Sequence, residues 1–137
     1  YGLGADVADG VGLDSSTMVV IDFTTMKVVA TYKSSMIDPV NFSYDIQRVG
    51  NMYGTCIVAP ENLRSGATVC ITLNGIYPNL YKFEIQGNVT NRLTERLGWS
   101  TNAATKPLMM AELKAIVENE DDEALTIPTR RSSDLPR

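Results

Sequence analysis

The stretch that decides the fold lies at the start of the chain: residues 4–10, GADVADG, are followed by DSS at 14–16 and by the apolar run TMVVIDF at 17–23. Small and apolar residues lead to a carboxylate, Gly and Asp dominate the next few positions, and a β-branched run follows. That order predicts a strand, a loop and a second strand. Asp6 is therefore expected where the first strand leaves the sheet.

Asp6 allows two interpretations. It caps or turns the loop, as Asp often does, or it belongs to a site, since an isolated buried carboxylate needs a partner, a proton or a cation. A second acid, Glu61, follows the β-rich run TCIVAP at 55–60 in a similar setting. Ligands gather at the carboxyl ends of strands in open α/β sheets. Paired carboxylates there are suited to Mg²⁺ or Mn²⁺.

The composition of the chain excludes several classes of catalytic and binding site. A chain of 137 residues with 44% hydrophobic residues is long enough for one domain with an ordinary core. It contains no His, which excludes a Ser-His-Asp triad, a Cys-His pair and histidine-bound zinc. The net charge of −4 argues against non-specific nucleic-acid binding through a basic patch. It is compatible with a metal-dependent nuclease, whose acid cluster is negative until cations bind.

Cysteine usage and hydropathy indicate the compartment. Cys56 and Cys70 lack metal-ligand spacing, and we predict that they are reduced residues of the core. No run is apolar and long enough to span a bilayer, and the first residues do not resemble a secretory signal. We therefore expect a soluble, cytoplasmic protein with no membrane partner.

The first half of the chain predicts a meander and a helix. Strands at 17–23 and 27–33 are joined by a short connection and form a hairpin, and the first strand joins them antiparallel. Asp38 and Pro39 have the pattern of an N-cap with Pro at the first helical position, and we expect that helix to continue to Gly50.

The second half predicts parallel strands with flanking helices. We expect a fourth strand at 54–59, a helix at 62–77 and a fifth strand at 81–85. The polar stretch 87–105 is typical of an exposed loop or short hairpin, and a last helix opens at Lys106. Three antiparallel strands followed by parallel strands and helices is the element order of the ribonuclease H-like fold. The predicted class is therefore α/β with a mixed sheet of that type.

Residues 1–127 are predicted to form one nuclease-like domain. The tail 128–137 resembles a translated sequencing adapter, and we expect it to be non-native; the alternative is a natural basic tail. Because the chain begins inside or just before its first strand and ends in this adapter-like tail, we expect the domain to be truncated at both ends.

In order and spacing, the motifs resemble the nuclease domain of the large terminase subunit of tailed bacteriophages, from about Gly4 to about Glu118. The motifs that carry the resemblance are GADVADG at 4–10, DSS at 14–16, VVID at 19–22, VVA at 28–30, PEN at 60–62 with Gly66, GWSTN at 98–102 and TKP at 105–107.

The resemblance implies a ribonuclease H-like, metal-dependent DNA endonuclease that cleaves concatemeric double-stranded DNA during packaging. It implies that Asp6 is the metal ligand of the first strand and Glu61 that of the fourth, and that both are catalytic. Asp14 matches a frequent acid of the family that orients the loop or reaches a metal through water. The implied cofactor is Mg²⁺ or Mn²⁺.

The resemblance also implies interaction partners and a cellular location. They are double-stranded DNA, an ATPase domain upstream in the same full-length chain, the portal and the small terminase subunit, in the cytoplasm of an infected bacterial host. The family's third acid usually lies in an Asp-Asp pair after Gly-His. That motif is missing, because Asp121-Asp122 lacks the flanking Gly-His. We therefore expect this chain to be weakly active or inactive.

Two other functions stay open. In the first, the domain is a non-catalytic module that docks on DNA or a portal, with Arg92, Arg96 and Lys106 as the DNA-binding residues; the alternative for those three is solvated surface. The second is an actin-like ATP-binding domain, which also opens with a strand, an acid and a Gly-rich turn. Asp9 disfavours it, since its charge would repel a phosphate.

Overall fold

A computed structural model describes residues 1–86 and 93–119 of the chain. Four strands, interrupted by one helix, come first, and a second helix, a hairpin and a third helix follow. In chain order the elements are β1 (Gly2–Asp6), β2 (Ser16–Asp22), β3 (Lys27–Ser34), α1 (Pro39–Met52), β4 (Ile57–Pro60), α2 (Ser65–Ile76), β5 (Lys82–Gln86), β6 (Leu93–Leu97) and α3 (Thr105–Asn119).

The first four strands form a mixed sheet in the order β3-β2-β1-β4. β2 pairs antiparallel with both β1 and β3, which confirms the predicted meander. β4 lies on the other side of β1 and runs parallel to it, with Leu3 opposite Val58 and Ala5 opposite Pro60. The chain is therefore a mixed α/β protein with a parallel pair at one side of its sheet.

Helix α1 begins where the sequence predicts. The Asp38 carboxylate accepts hydrogen bonds from the backbone amides of Val40 and Asn41, at 3.0 and 3.1 Å, and Pro39 occupies the first turn. These contacts satisfy amides that have no partner inside the helix. The local signal is strong enough to fix this boundary without tertiary information.

Helices α1 and α2 pack against each other and against one face of the sheet. Alternation along β1 places Leu3 and Ala5 on the covered face, while Gly4 and Asp6 lie on the opposite, exposed face. Phe42 of α1 contacts Tyr32 with ring centroids 5.8 Å apart. The side chains that fill the centre of this core, each less than 2% exposed, include Phe42, Met18, Ile46, Leu73, Val20, Val58 and Val69.

Both cysteines are buried and free, as the sequence predicts. Burial raises the pKa of the Cys70 thiol to about 11, so it stays protonated at neutral pH. The thiols act as small apolar side chains, and neither has the low pKa of a reactive cysteine.

The fifth strand differs from the prediction. Parallel pairing with β4 is confined to a single bridge between Val58 and Leu80, and β5 pairs antiparallel with β6 in a separate two-stranded sheet. The reason lies at the edge of β4, where the Trp99 amide donates to the carbonyl of Pro60 at 2.7 Å. Because Trp99 occupies that edge, the chain beyond Tyr81 pairs with β6 instead.

The last helix begins at Thr105, one residue before the predicted start. Leu108 and Leu113 are 65% and 53% exposed, so these apolar side chains do not pack into the core. No helix within residues 1–86 and 93–119 is long and apolar enough to cross a membrane. Arg92, Asp121-Asp122 and the tail 128–137 lie outside the described residues.

Two isoleucines provide a test of this core. Ile46 is fully buried, so Ile46→Val leaves a small cavity, and we expect the free energy of unfolding to fall by about 1 kcal/mol. Ile71 in α2 is 69% exposed, and the matched Ile71→Val should change it by less than about 0.5 kcal/mol. Urea unfolding followed by circular dichroism measures both values. Equal effects of the two substitutions would contradict the assigned packing.

Candidate functional site

The register of β1 and β4 brings Asp6 and Glu61 together. Ala5 lies opposite Pro60, and the Glu61 amide donates to the carbonyl of Ala5 at 2.9 Å. Asp6 and Glu61 are the next residues along two parallel neighbours, and alternation turns both away from the helix-covered face. The predicted meeting of these acids at the carboxyl ends of adjacent strands is therefore present in the structure.

The two carboxyl groups interact directly. The pKa of Asp6 is raised above its ordinary value of 3.8, first by desolvation and next by the negative charge of Glu61 and a side-chain hydrogen bond with it. Much of Asp6 remains exposed to solvent, which limits the weight of desolvation. The negative charge of Glu61 is the cause of the raised pKa that is specific to this pair, because two like charges at short distance resist ionising together.

Neither acid is neutralised by a basic side chain in the described part of the protein. The ion pairs there are Arg48 with Asp45, Arg64 with Asp9, and Lys82 with Glu95. Among residues 1–86 and 93–119, therefore, no Lys or Arg forms an ion pair with Asp6 or Glu61.

The backbone around Glu61 is held from two sides. On one side it pairs with β1, and on the other it forms a parallel bridge with Trp99, whose carbonyl accepts from the Asn62 amide at 2.9 Å. The Asn62 side chain donates to the carbonyl of Leu97 at 3.0 Å. These bonds fix the chain direction at the point where the Glu61 side chain leaves the sheet.

Two glycines allow the chain to approach this point closely. A Cβ on Gly66, in the first turn of α2, would overlap the carbonyl oxygen of Glu61. A Cβ on Gly98 would overlap the carbonyl oxygen of Pro60 and the Cys70 sulfur, and the φ of 73° at Gly98 also favours glycine. Both positions lack a side chain because the backbone on either side of Glu61 fills that space.

The loop after β1 is anchored to the sheet. The Ala8 amide donates to the buried Ser16 hydroxyl at 3.0 Å, and the Gly12 amide donates to the carbonyl of Ser35 at 2.6 Å. Asp14 is exposed at the end of this loop, and its charge contributes to the raised pKa of Asp6. Asp14 is therefore near the pair, although its influence on Asp6 is weaker than that of Glu61.

Asp9 has a different role. Its carboxylate pairs with the Arg64 guanidinium at 2.7 Å and accepts from the Ser65 amide at the start of α2 at 3.4 Å. The hydrogen bond from Arg64 is the main cause of a lowered pKa at Asp9. Asp9 thus places its carboxylate at the N-terminus of α2, and its negative charge lies in the turn after β1 that would hold phosphate in an actin-like domain.

As a metal site, the arrangement offers two carboxylates and an exposed third acid nearby. Carboxylate oxygens are the ligands that Mg²⁺ and Mn²⁺ prefer, and Mg²⁺ commonly binds through one or two of them while keeping several waters. Within residues 1–86 and 93–119, no three His, Cys, Asp or Glu side chains are grouped closely enough to hold a metal ion. Asp6 and Glu61 could therefore supply at most two carboxylate ligands, and water would have to fill the other positions around a cation.

The predicted DNA-binding residues are not all in one place. Arg96 lines a cleft beside the acid pair, together with Trp99 and Thr105. Lys106 is exposed in the first turn of α3, next to that cleft, and Arg92 lies outside the described residues. The sequence analysis does not predict this cleft, and the pair Gly98-Trp99 is the signal that the sequence offers for it.

The chain was compared with protein-family models and with curated proteins, and neither comparison finds a match.

Two glycines of α2 test the close approach at Glu61. Gly66→Ala is expected to lower the free energy of unfolding by more than about 1 kcal/mol, because the new methyl overlaps backbone. Gly75→Ala, in the same helix with open space around it, should raise it by about 0.4–1 kcal/mol. Urea unfolding of both variants gives the values. A neutral or stabilising Gly66→Ala would show that α2 does not approach Glu61 so closely.

The raised pKa of Asp6 predicts a pH-dependent effect of Asp6→Asn. The folded protein favours the protonated form of the Asp6 carboxyl. Asp6 therefore contributes stability at pH values below its ordinary pKa of 3.8, and this contribution is lost as the pH rises through its raised pKa in the folded protein. At neutral pH without metal, Asp6→Asn should therefore raise the melting temperature, and its advantage should shrink as the pH falls toward the ordinary value.

Thermal unfolding in EDTA over a pH series measures this difference. Asp22→Asn is the control, because the amide oxygen can still accept from the Thr24 backbone N–H. An advantage of Asp6→Asn that is constant with pH, or equal to that of the control, would contradict the assigned repulsion.

Proposed function

We propose that this chain is a metal-dependent endonuclease domain of the kind found in phage large terminase subunits, with a ribonuclease H-like fold. One observation carries the proposal: Asp6 and Glu61 meet at the carboxyl ends of two parallel, adjacent strands. That is the geometry in which a sheet presents hard oxygen ligands to a divalent cation.

The topology supports the proposed fold. An antiparallel β1-β2-β3 meander, a helix and then a fourth strand parallel to β1 reproduce the element order expected of the family. The acids expected to act as ligands fall on the two strands that pair in parallel. Fold alone does not carry function, so the proposal depends on the carboxylate pair.

The chain's residues would act mainly by positioning. Divalent cations, when bound, would supply Lewis-acid activation of a water and would offset negative charge on the phosphodiester. Asp6 and Glu61 would hold the cations through their carboxylate oxygens, and Asp14 would add a negative charge nearby. The backbone bonds on both sides of Glu61 hold its backbone at a fixed place beside that of Asp6.

The proposed activity of this chain by itself is low. A terminase nuclease would supply a third acid from a later helix, and α3 has no acid pair within Thr105–Asn119. With two strong ligands, cation affinity is expected to be weak and DNA cleavage slow or absent. In the proposed full-length protein, the substrate is concatemeric double-stranded DNA, and the ATPase domain, the portal and the small subunit are the partners.

Calorimetric titration with Mn²⁺ tests the metal site. We expect weak, saturable binding to the wild-type chain and its loss in the double variant Asp6→Asn with Glu61→Gln, because both oxygen donors then lose their charge. A matched control, Asp22→Asn with Glu84→Gln, removes two acids elsewhere and should leave binding unchanged. Mn²⁺ should also raise the melting temperature of the wild type and the control, and not that of the Asp6–Glu61 variant.

One outcome would count against the proposed nuclease, and another would count only against its expected low activity. Mn²⁺ binding that is absent, or that persists in the Asp6–Glu61 variant, would leave Asp6 as a turn residue and favour a docking module. Efficient plasmid cleavage by the purified chain, abolished by Asp6→Asn, would support the nuclease but overturn the expectation of low activity.

A further inference from the structure

A cleft of about 290 Å³ opens beside the acid pair, between the β5–β6 hairpin and the segment before α3. Its apolar wall consists of Tyr81, Phe83 and Trp99, and Arg96 and Asn102 contribute polar groups. Its size is close to the lower end of small-molecule sites in proteins, which suits one planar group rather than a helix or a folded partner.

The three rings form a connected aromatic surface. Tyr81 and Phe83 are stacked with centroids 6.4 Å apart, and Tyr81 and Trp99 are tilted with centroids 6.1 Å apart. The indole Nε1 of Trp99 is buried and has no hydrogen-bond partner within the described residues. The wall therefore offers aromatic faces to the cleft, while the indole N–H of Trp99 is buried and is not a group that a ligand in the cleft meets.

The cleft adjoins the site of the proposed chemistry. Trp99 pairs with Glu61 across a parallel bridge, and neighbouring strands lie about 4.8 Å apart. The same backbone bonds that fix Glu61 hold Trp99, because the Trp99 amide donates to Pro60 and its carbonyl accepts from Asn62. The cleft residue Trp99 is thus the direct backbone neighbour of Glu61.

We propose that this cleft binds an unpaired nucleobase of the DNA strand at the cleavage site. The choice of DNA rests on the proposed nuclease function; the choice of a base rests on the cleft. Every base has a π-face for Tyr81, Phe83 and Trp99, and polar edges for the side chains at the rim. The exposed Arg96 guanidinium provides a cation for the adjoining phosphate or for stacking on the base.

Trp99 makes the proposal directly measurable, because it is the only tryptophan in the chain. A base stacked on its indole should quench its fluorescence. Titration in EDTA with a short oligothymidylate is expected to quench the signal saturably. An abasic oligomer of the same length and charge should bind about tenfold more weakly, and a blunt duplex, whose bases are already stacked, should also bind more weakly.

Side-chain variants separate stacking from general affinity. Phe83→Leu keeps an apolar side chain but removes a π-face, and it should weaken oligothymidylate binding about fivefold or more. Tyr44→Leu is the matched control, since Tyr44 is 49% exposed on α1, and it should bind like the wild type. Arg96→Gln should weaken binding and reduce its salt dependence, because one cation near the backbone is lost.

The proposal is overturned if the abasic oligomer or the duplex binds as tightly as the oligothymidylate, if Trp99 is not quenched, or if Phe83→Leu binds like the wild type. These outcomes are independent of the metal site. In EDTA the Asp6→Asn, Glu61→Gln variant should still show the quench. Quenching of Trp99 without Mn²⁺ binding supports base binding in the cleft and overturns the proposed nuclease function. Mn²⁺ binding without quenching supports the nuclease function and overturns base binding in the cleft.

Discussion

The parallel pairing of β1 with β4 is the interaction on which the rest of the structure depends. One backbone bond, from the Glu61 amide to the carbonyl of Ala5, extends that pairing to the last residue before the chain turns away. Without it, Asp6 and Glu61 would be two separate acids at the ends of two strands. With it, they share a face and an electrostatic environment, which is why the pKa of Asp6 responds to Glu61.

The same pairing imposes a steric constraint on segments far apart in sequence. The end of β4 is approached by the first turn of α2 at Gly66 and by the turn after β6 at Gly98, and neither position has room for a Cβ. Glycine carries an entropic cost on folding. At these positions the cost is offset by backbone packing that holds Glu61 from both sides, so the glycines belong to the site although neither supplies a functional group.

Local signals in the sequence predict most of the first half of the fold. Asp38-Pro39 determines the start of α1, and the apolar runs determine the meander, because each depends on residues a few positions apart. The place of β5 is not predictable in this way, since it depends on Trp99 having taken the edge of β4. The aromatic cleft escapes prediction for the same reason: the β5–β6 hairpin and the turn after it bring Tyr81, Phe83 and Trp99 together from separate segments.

The contrast between Asp9 and Asp6 supports the proposed metal-binding role of the acid pair. Both lie at the same end of the sheet, yet Asp9 is neutralised by Arg64 and its pKa falls, while the pKa of Asp6 rises beside Glu61. A fold under selection for stability alone gains by pairing each acid with a base. Here Asp9 pairs with Arg64 and ties the loop after β1 to α2. Asp6 and Glu61 instead lie beside each other, and their negative charges repel. Repulsion of that kind is relieved by a proton or by a cation, and at neutral pH a divalent cation relieves it while both carboxylates keep their charge.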